Sequence, residues 1–258
     1  MPVMAPAHRV FLAIASFLGG VFVASIIAAA VVSASGWDID VPATVGSEAG
    51  RAVNQIGQGL PLDDNRVPAG VQALLNLPLW LGLLGMPLLA RRRGLDWVRD
   101  LGWSVRWFDV WFGLGVGVAA QLALVPVYEL VFLVFGEQDV AAPARSLVAA
   151  VDTPLDLIAL VLMTVVMAPL AEEVCYRGLL YRGIRDMEAA KAGSGVVTAT
   201  AVSSVIFAAS HFQLVQFPGL LFFGVLLAVL TQRTGRLGTA IWAHVGFNAT
   251  TIVFLLSS

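Results

Sequence analysis

PLDLIALVLMTVVMAPLAEEVCYR, residues 154–177, decides what kind of molecule this is. From Leu157 to Ala171 the stretch carries no charge; it then meets two adjacent carboxylates, Glu172 and Glu173, with Arg177 four residues on from the second. Such a run belongs either to the interior of a large soluble core or to a membrane span, and composition decides between them. The chain has 258 residues, of which 59% are hydrophobic and only 12% charged, and its mean hydropathy is +0.86. A soluble domain carries about a quarter charged residues. A globule still needs a polar surface, whereas a protein dissolved in lipid does not.

A spanning helix needs about 20 apolar residues. Besides the run beginning near 155, six stretches qualify or nearly qualify: 10–34, 70–90, 109–135, 195–213, 217–232 and 238–257. The expected fold is therefore all-α, a polytopic transmembrane bundle of about seven helices forming a single integral membrane domain over 1–258. The connections carry the charge. Residues 36–69 read as a polar loop with Pro42, Pro61 and Pro68, 91–108 as a basic loop, and 136–153 as an acidic one. With the N-terminus inside, Arg9, the arginines of 91–108, Arg177, Arg182, Arg185, Lys191, Arg233 and Arg236 share the inner side, and Arg51, Arg66 and Arg145 are left outside. The positive-inside rule then places the chain in the cell's inner (plasma) membrane, N-terminus cytoplasmic and C-terminus outside, with 36–69 extracytoplasmic. Val32-Ser33-Ala34 has the look of a signal-peptidase site, but the apolar run before it is longer than a signal peptide's, which favours an uncleaved anchor.

Composition also excludes function classes. A net charge of −2, with no basic cluster interleaved with aromatics, gives nucleic acid nothing to bind. Cys175 is the one cysteine, so neither an intrachain disulfide nor a cysteine-based metal site is available.

Ionisable groups at membrane depth cost several kcal/mol, and each is a functional hypothesis. They cluster in three places: Glu172-Glu173-Val174-Cys175-Tyr176-Arg177, Phe207-Ala208-Ala209-Ser210-His211, and His244-Val245-Gly246-Phe247-Asn248. Glu129 stands alone in the third span and reads as interhelical bonding or an outer-leaflet position; His8 lies in the N-terminal tail. Helical neighbours four apart share a face, so Glu173 can pair with Arg177, and His244 stacks with Asn248. Glu172 points about 100° away from Glu173. One carboxylate is therefore structural and the other free to accept a proton. Two histidines and a glutamate suit two chemistries: holding a divalent metal such as zinc through Glu172, His211 and His244, or activating water directly without a metal. Asn248 beside His244 is the right kind of donor for a carbonyl oxyanion.

Depth adds a constraint. If the span from 155 stopped at the glutamates, His211, well along the next span, would lie roughly 27 Å from them. The economical solution is a helix that starts at Thr153-Pro154 and continues to about Arg185, roughly 48 Å long. Glu172 then sits mid-membrane near His211 and Asn248, and Pro169 removes a backbone bond just before the carboxylate pair, kinking the helix and opening room for water.

EEVCYR, FAASH and HVGFN together resemble the CAAX protease and bacteriocin-processing family (CPBP, also called Abi) of intramembrane proteases, whose pattern is Glu-Glu-x-x-x-Arg, Phe-x-x-x-His and His-x-x-x-Asn on successive transmembrane helices. The resemblance covers a catalytic core of roughly 155–252; the first 150 residues show only generic hydrophobicity. It implies a helical protein with its site in a cavity among the later helices, acting as an endopeptidase on a peptide or membrane-protein substrate. Glu172 would be the general base with His211 assisting, Glu173 and Arg177 would order the site, His244 and Asn248 would stabilise the oxyanion, and Phe207 would pack beside His211. The metal question stays open at this point. The Arg- and Ala-rich sequence looks bacterial, which favours a peptide-maturation substrate over a prenylated CAAX tail. The competing reading is a catalytically silent membrane scaffold or immunity protein that binds a peptide or protein partner.

Overall fold

The computed structural model describes residues 4–35, 69–189 and 195–257; the polar loop 36–69 lies outside them but for its last residue, as does Lys191. Eight helical elements carry the described chain: α1 (Pro6–Ser35), α2 (Ala69–Ala90), α3 (Trp107–Phe135), the short α4 (Ala142–Val148), α5 (Pro154–Glu188), α6 (Gly195–Ala209), α7 (Phe217–Thr234) and α8 (Leu237–Ser257). No strand occurs among the described residues. Six of these helices are long and apolar enough to cross a membrane, and the all-α polytopic bundle expected from the sequence is the fold observed.

One span is shorter than expected. The apolar stretch 195–213 ends as helix at Ala209, about 22 Å from its start. His211 thus occupies the turn after α6 and not the helix itself. The backbone tightens there, with the His211 N–H reaching the Ala208 carbonyl at 3.4 Å, and Phe212 takes a left-handed φ of 55° that no continuing helix tolerates.

The long helix inferred from the depth conflict is present. Thr153 and Asp156 cap α5 reciprocally, with Asp156 N–H donating to Thr153 Oγ1 at 3.2 Å and Thr153 N–H to Asp156 Oδ2 at 3.1 Å, and Pro154 supplies the first turn. α5 runs 35 residues, but not as a uniform α-helix. Leu162–Met167 and Glu173–Tyr181 are wound in π-helical turns, the wider winding found preferentially at functional sites.

Lipid offers no hydrophobic drive to bring helices together, so close approach depends on small residues. α3 and α8 form the most extensive helix pair. Gly113, Gly117 and Gly246 lie in their seam; a Cβ on Gly246 would stand 2.6 Å from the Leu114 carbonyl. α5 threads the middle of the bundle, touching α1, α2, α6, α7 and α8. Every side chain from Glu173 to Tyr181 is buried, whereas Leu81, Leu122, Leu133 and Phe254 elsewhere face outward, as lipid-covered surface does.

Candidate active site

Three helices and one turn bring the polar residues together. Glu173 and Arg177, one helical turn apart on α5, are both fully buried and pair at 3.2 Å. Arg177 completes its coordination elsewhere: Nη2 donates to the Gly224 carbonyl on α7 at 3.1 Å, and the guanidinium lies 4.3 Å above the Phe207 ring. Gly224 is glycine because α7 approaches α6 closely; a Cβ there would sit 3.1 Å from Ser204 Cβ and 3.2 Å from the Phe207 ring. His244 on α8 directs Nδ1 to Glu173 Oε1 at 3.0 Å. Glu173 Oε1 is therefore shared by a guanidinium and an imidazole.

Glu172 looks the other way, as the 100° step requires. Its Oε2 is 3.9 Å from His211 Nε2 and 4.0 Å from His244 Nε2, and has no hydrogen-bond partner among the described residues. The ring contacts fix the imidazoles: Phe207 stands edge-on to His211 at 4.8 Å and to His244 at 5.8 Å, and Phe223 to His244 at 5.2 Å. His244 is nearly closed off at 5% side-chain exposure, while Glu172 and His211 keep 20% and 25%, although Glu172 Oε2 itself is buried.

Proton positions follow from the partners. His211 Nδ1 is 2.8 Å from the Phe207 carbonyl, and a carbonyl can only accept; Nδ1 therefore carries the proton, and a neutral His211 turns a bare Nε2 toward Glu172. The Phe207 carbonyl is available because α6 ends there, and Ser210 Oγ–H shares it at 2.8 Å while accepting from the Tyr176 hydroxyl at 2.7 Å. His244 Nδ1 likewise gives its proton to Glu173, so its Nε2 can donate only as imidazolium. The separations of 3.9 and 4.0 Å exceed a direct hydrogen bond and match a gap bridged by one small molecule with O–H groups to give.

The same three atoms are donors of a kind zinc accepts. Neighbouring ligands of a tetrahedral zinc lie about 3.3 Å apart, given bonds of roughly 2.0–2.1 Å; Glu172 Oε2 stands 3.9 and 4.0 Å from the two imidazole nitrogens, so a cation there would draw the side chains inward.

Asn248 joins the set differently from the spacing argument. It lies one turn beyond His244 on α8, but its Nδ2 already donates to the backbone carbonyl of Thr164 on α5 at 2.8 Å. Sequence reasoning missed Thr164 because a backbone acceptor has no side-chain signature, and missed Gly224 for the same reason; Ser210 lay inside the quoted FAASH stretch, but nothing in the sequence paired its hydroxyl with Tyr176. Glu129 lies apart from the site, exposed on α3, and His8 is exposed on α1.

Residues 154–250 match the family model described as type II CAAX prenyl endopeptidase Rce1-like. No curated protein and no solved structure matches the chain. The matched stretch opens at the capped start of α5 and closes two residues after Asn248, so it contains the whole polar cluster and leaves α1–α4 outside.

Proposed function

With residues 154–250 the chain belongs to the CPBP family of membrane-embedded endopeptidases, and on that premise we propose that Glu172 activates a water molecule for attack on a peptide bond within the membrane. The observation that carries this reading is that His211 Nε2 and His244 Nε2 each stand at a water-bridged distance from Glu172 Oε2, 3.9 and 4.0 Å away.

The water gives one O–H to the Glu172 carboxylate and the other to His211 Nε2, which leaves an oxygen lone pair for the scissile carbonyl carbon. As the oxygen–carbon bond forms, Glu172 takes the proton and the carbonyl oxygen becomes an oxyanion. His244, charged and backed by Glu173, donates Nε2–H to that oxygen, and Asn248 supplies an amide N–H. Glu172 then returns its proton to the amide nitrogen, the carbon–nitrogen bond breaks, and an acid and an amine leave. A divalent cation, were one bound, would be held by Glu172, His211 and His244 and would supply a more acidic water; the width of the gap favours water alone.

The substrate in this reading is a peptide or membrane-protein segment entering from the lipid, and the host membrane is the plasma membrane with the arginine-rich end of the bundle inside. The test is cleavage of a defined pool of quenched fluorogenic peptides, with and without a prenylated C-terminal cysteine, by the purified full chain in lipid nanodiscs. Cleavage by the wild type, its loss in Glu172→Ala at unchanged folding and insertion, and indifference to a chelator are expected. Equal signals from wild type and Glu172→Ala would sink the catalytic reading and leave a partner-binding scaffold.

A further inference from the structure

The bond between Asn248 and Thr164 has a cause three residues before Glu172. In an α-helix the Thr164 carbonyl would accept from the Ala168 N–H. In α5 it does not, because the π turn hands that N–H to the Met163 carbonyl. The π register would pass Thr164 to the next N–H along, at position 169. That residue is proline, which has none. Both intrahelical donors are thus removed from a single carbonyl, in a medium where a backbone acceptor without a partner costs several kcal/mol. The vacancy is filled from outside the helix by Asn248 Nδ2, at 2.8 Å.

We propose that Pro169 is a positioning residue: by emptying the Thr164 carbonyl it creates the anchor that fixes the Asn248 amide. The proposal rests on the catalytic reading above and explains how its oxyanion donor is held. An amide nitrogen carries two N–H groups. A carbonyl accepts only from the nitrogen end, so the anchor sets which way round the amide lies and spends one N–H, leaving the second for substrate. The same proline that loosens α5 beside Glu172 therefore also orients a donor on α8, and the base and the oxyanion donor are set by one element.

Pro169→Ala restores an N–H to position 169 and gives Thr164 an intrahelical partner. Two measurements on the full chain in nanodiscs test the idea. In selectively [15N]Asn-labelled protein, identified by its absence in Asn248→Asp, the Asn248 amide should show one slowly exchanging N–H in the wild type and lose that protection in Pro169→Ala. With whichever peptide of the fluorogenic pool the wild type cleaves, kcat should fall about tenfold or more, as expected for a displaced donor, with KM within twofold. Should Pro169→Ala fail to insert, Pro169→Gly supplies the same N–H on a more permissive backbone. An unchanged Asn248 amide signal in the variant overturns the proposal, and so does a lost signal with kcat within twofold of wild type. Failure of the catalytic reading shows separately, as wild-type cleavage that survives Glu172→Ala, while the amide measurement stands whatever the enzyme does.

Discussion

Glu173 is fully buried, and its Oε1 accepts from both Arg177 and His244, at 3.2 and 3.0 Å. Arg177 balances the carboxylate, and without it the buried anion would lose its permanently charged partner in low dielectric. The second interaction bears on chemistry. Because His244 spends its Nδ1 proton on Glu173, it can offer Nε2–H to an oxyanion only while charged, and Glu173 is the carboxylate its Nδ1 faces. Glu173→Gln separates geometry from charge: the amide oxygen still accepts at the Oε1 position, but the counter-charge is gone. The expected outcome is a kcat lowered by about 10², the scale of losing one oxyanion donor, with KM little changed, read from steady-state cleavage of a fluorogenic peptide. A Gln variant at wild-type kcat would show that His244 does not act as imidazolium. Leu, which removes the acceptor as well, should be worse than Gln in both turnover and thermal stability.

Among the elements, α5 shows what a sequence exposes and what it hides. Its start was legible in Thr153-Pro154, and its length in the distance conflict between Glu172 and His211, because rise per residue is a constant that sequence separation can be measured against. The partition of the two glutamates was legible for the same reason. The π turns were not, since no local pattern of residues marks where the winding widens. The premature end of α6 was hidden because Ser210 and His211 leave the apolar run looking continuous on either side. Equally silent was the α3–α8 seam, where glycines that read as ordinary membrane residues differ sharply in place. Gly117 faces the Ala243 carbonyl and the Phe247 N–H, whereas nothing lies within 4 Å of a Cβ on Gly115. Gly117→Ala should push the helices apart and lower stability by about 1–3 kcal/mol, and should reduce turnover, since Ala243 directly precedes His244. Gly115→Ala should leave stability unchanged or raise it by up to about 1 kcal/mol through helix propensity. Thermal unfolding of both variants in one detergent checks the pair, and equal behaviour would mean that the seam does not hold α8 in place.

Across the whole molecule, charge is sorted by end. At one end the start of α1, the turn before α3, the last turns of α5 and the α7–α8 turn meet: Arg9 pairs with Asp186 at 2.7 Å, Arg236 with Asp109 at 2.5 Å, and Arg182 donates to the Gly235 carbonyl at 2.6 Å. Arg91, Arg92 and Arg93 follow α2 at this end, exposed. At the other end the start of α5 meets α2 through Asp156 and Gly70 at 3.2 Å, and Gln216 before α7 reaches the Val140 carbonyl at 2.6 Å, near Glu137, Asp139 and Asp152. A bundle with a basic end and an acidic end has one favoured orientation, basic end to the cytoplasm. His244 lies about 10 Å along α8 from Leu237 at the basic end, so this orientation also puts the candidate site in the cytoplasmic half of the bilayer, where cytoplasmic substrates would meet it. Labelling intact cells with a membrane-impermeant maleimide decides the matter, with buried Cys175 replaced by alanine as background. Glu137→Cys, exposed beyond α3, should react from outside, and Arg92→Cys only after permeabilisation. The reverse pattern would invert the bundle and place the candidate site within reach of extracytoplasmic substrates instead.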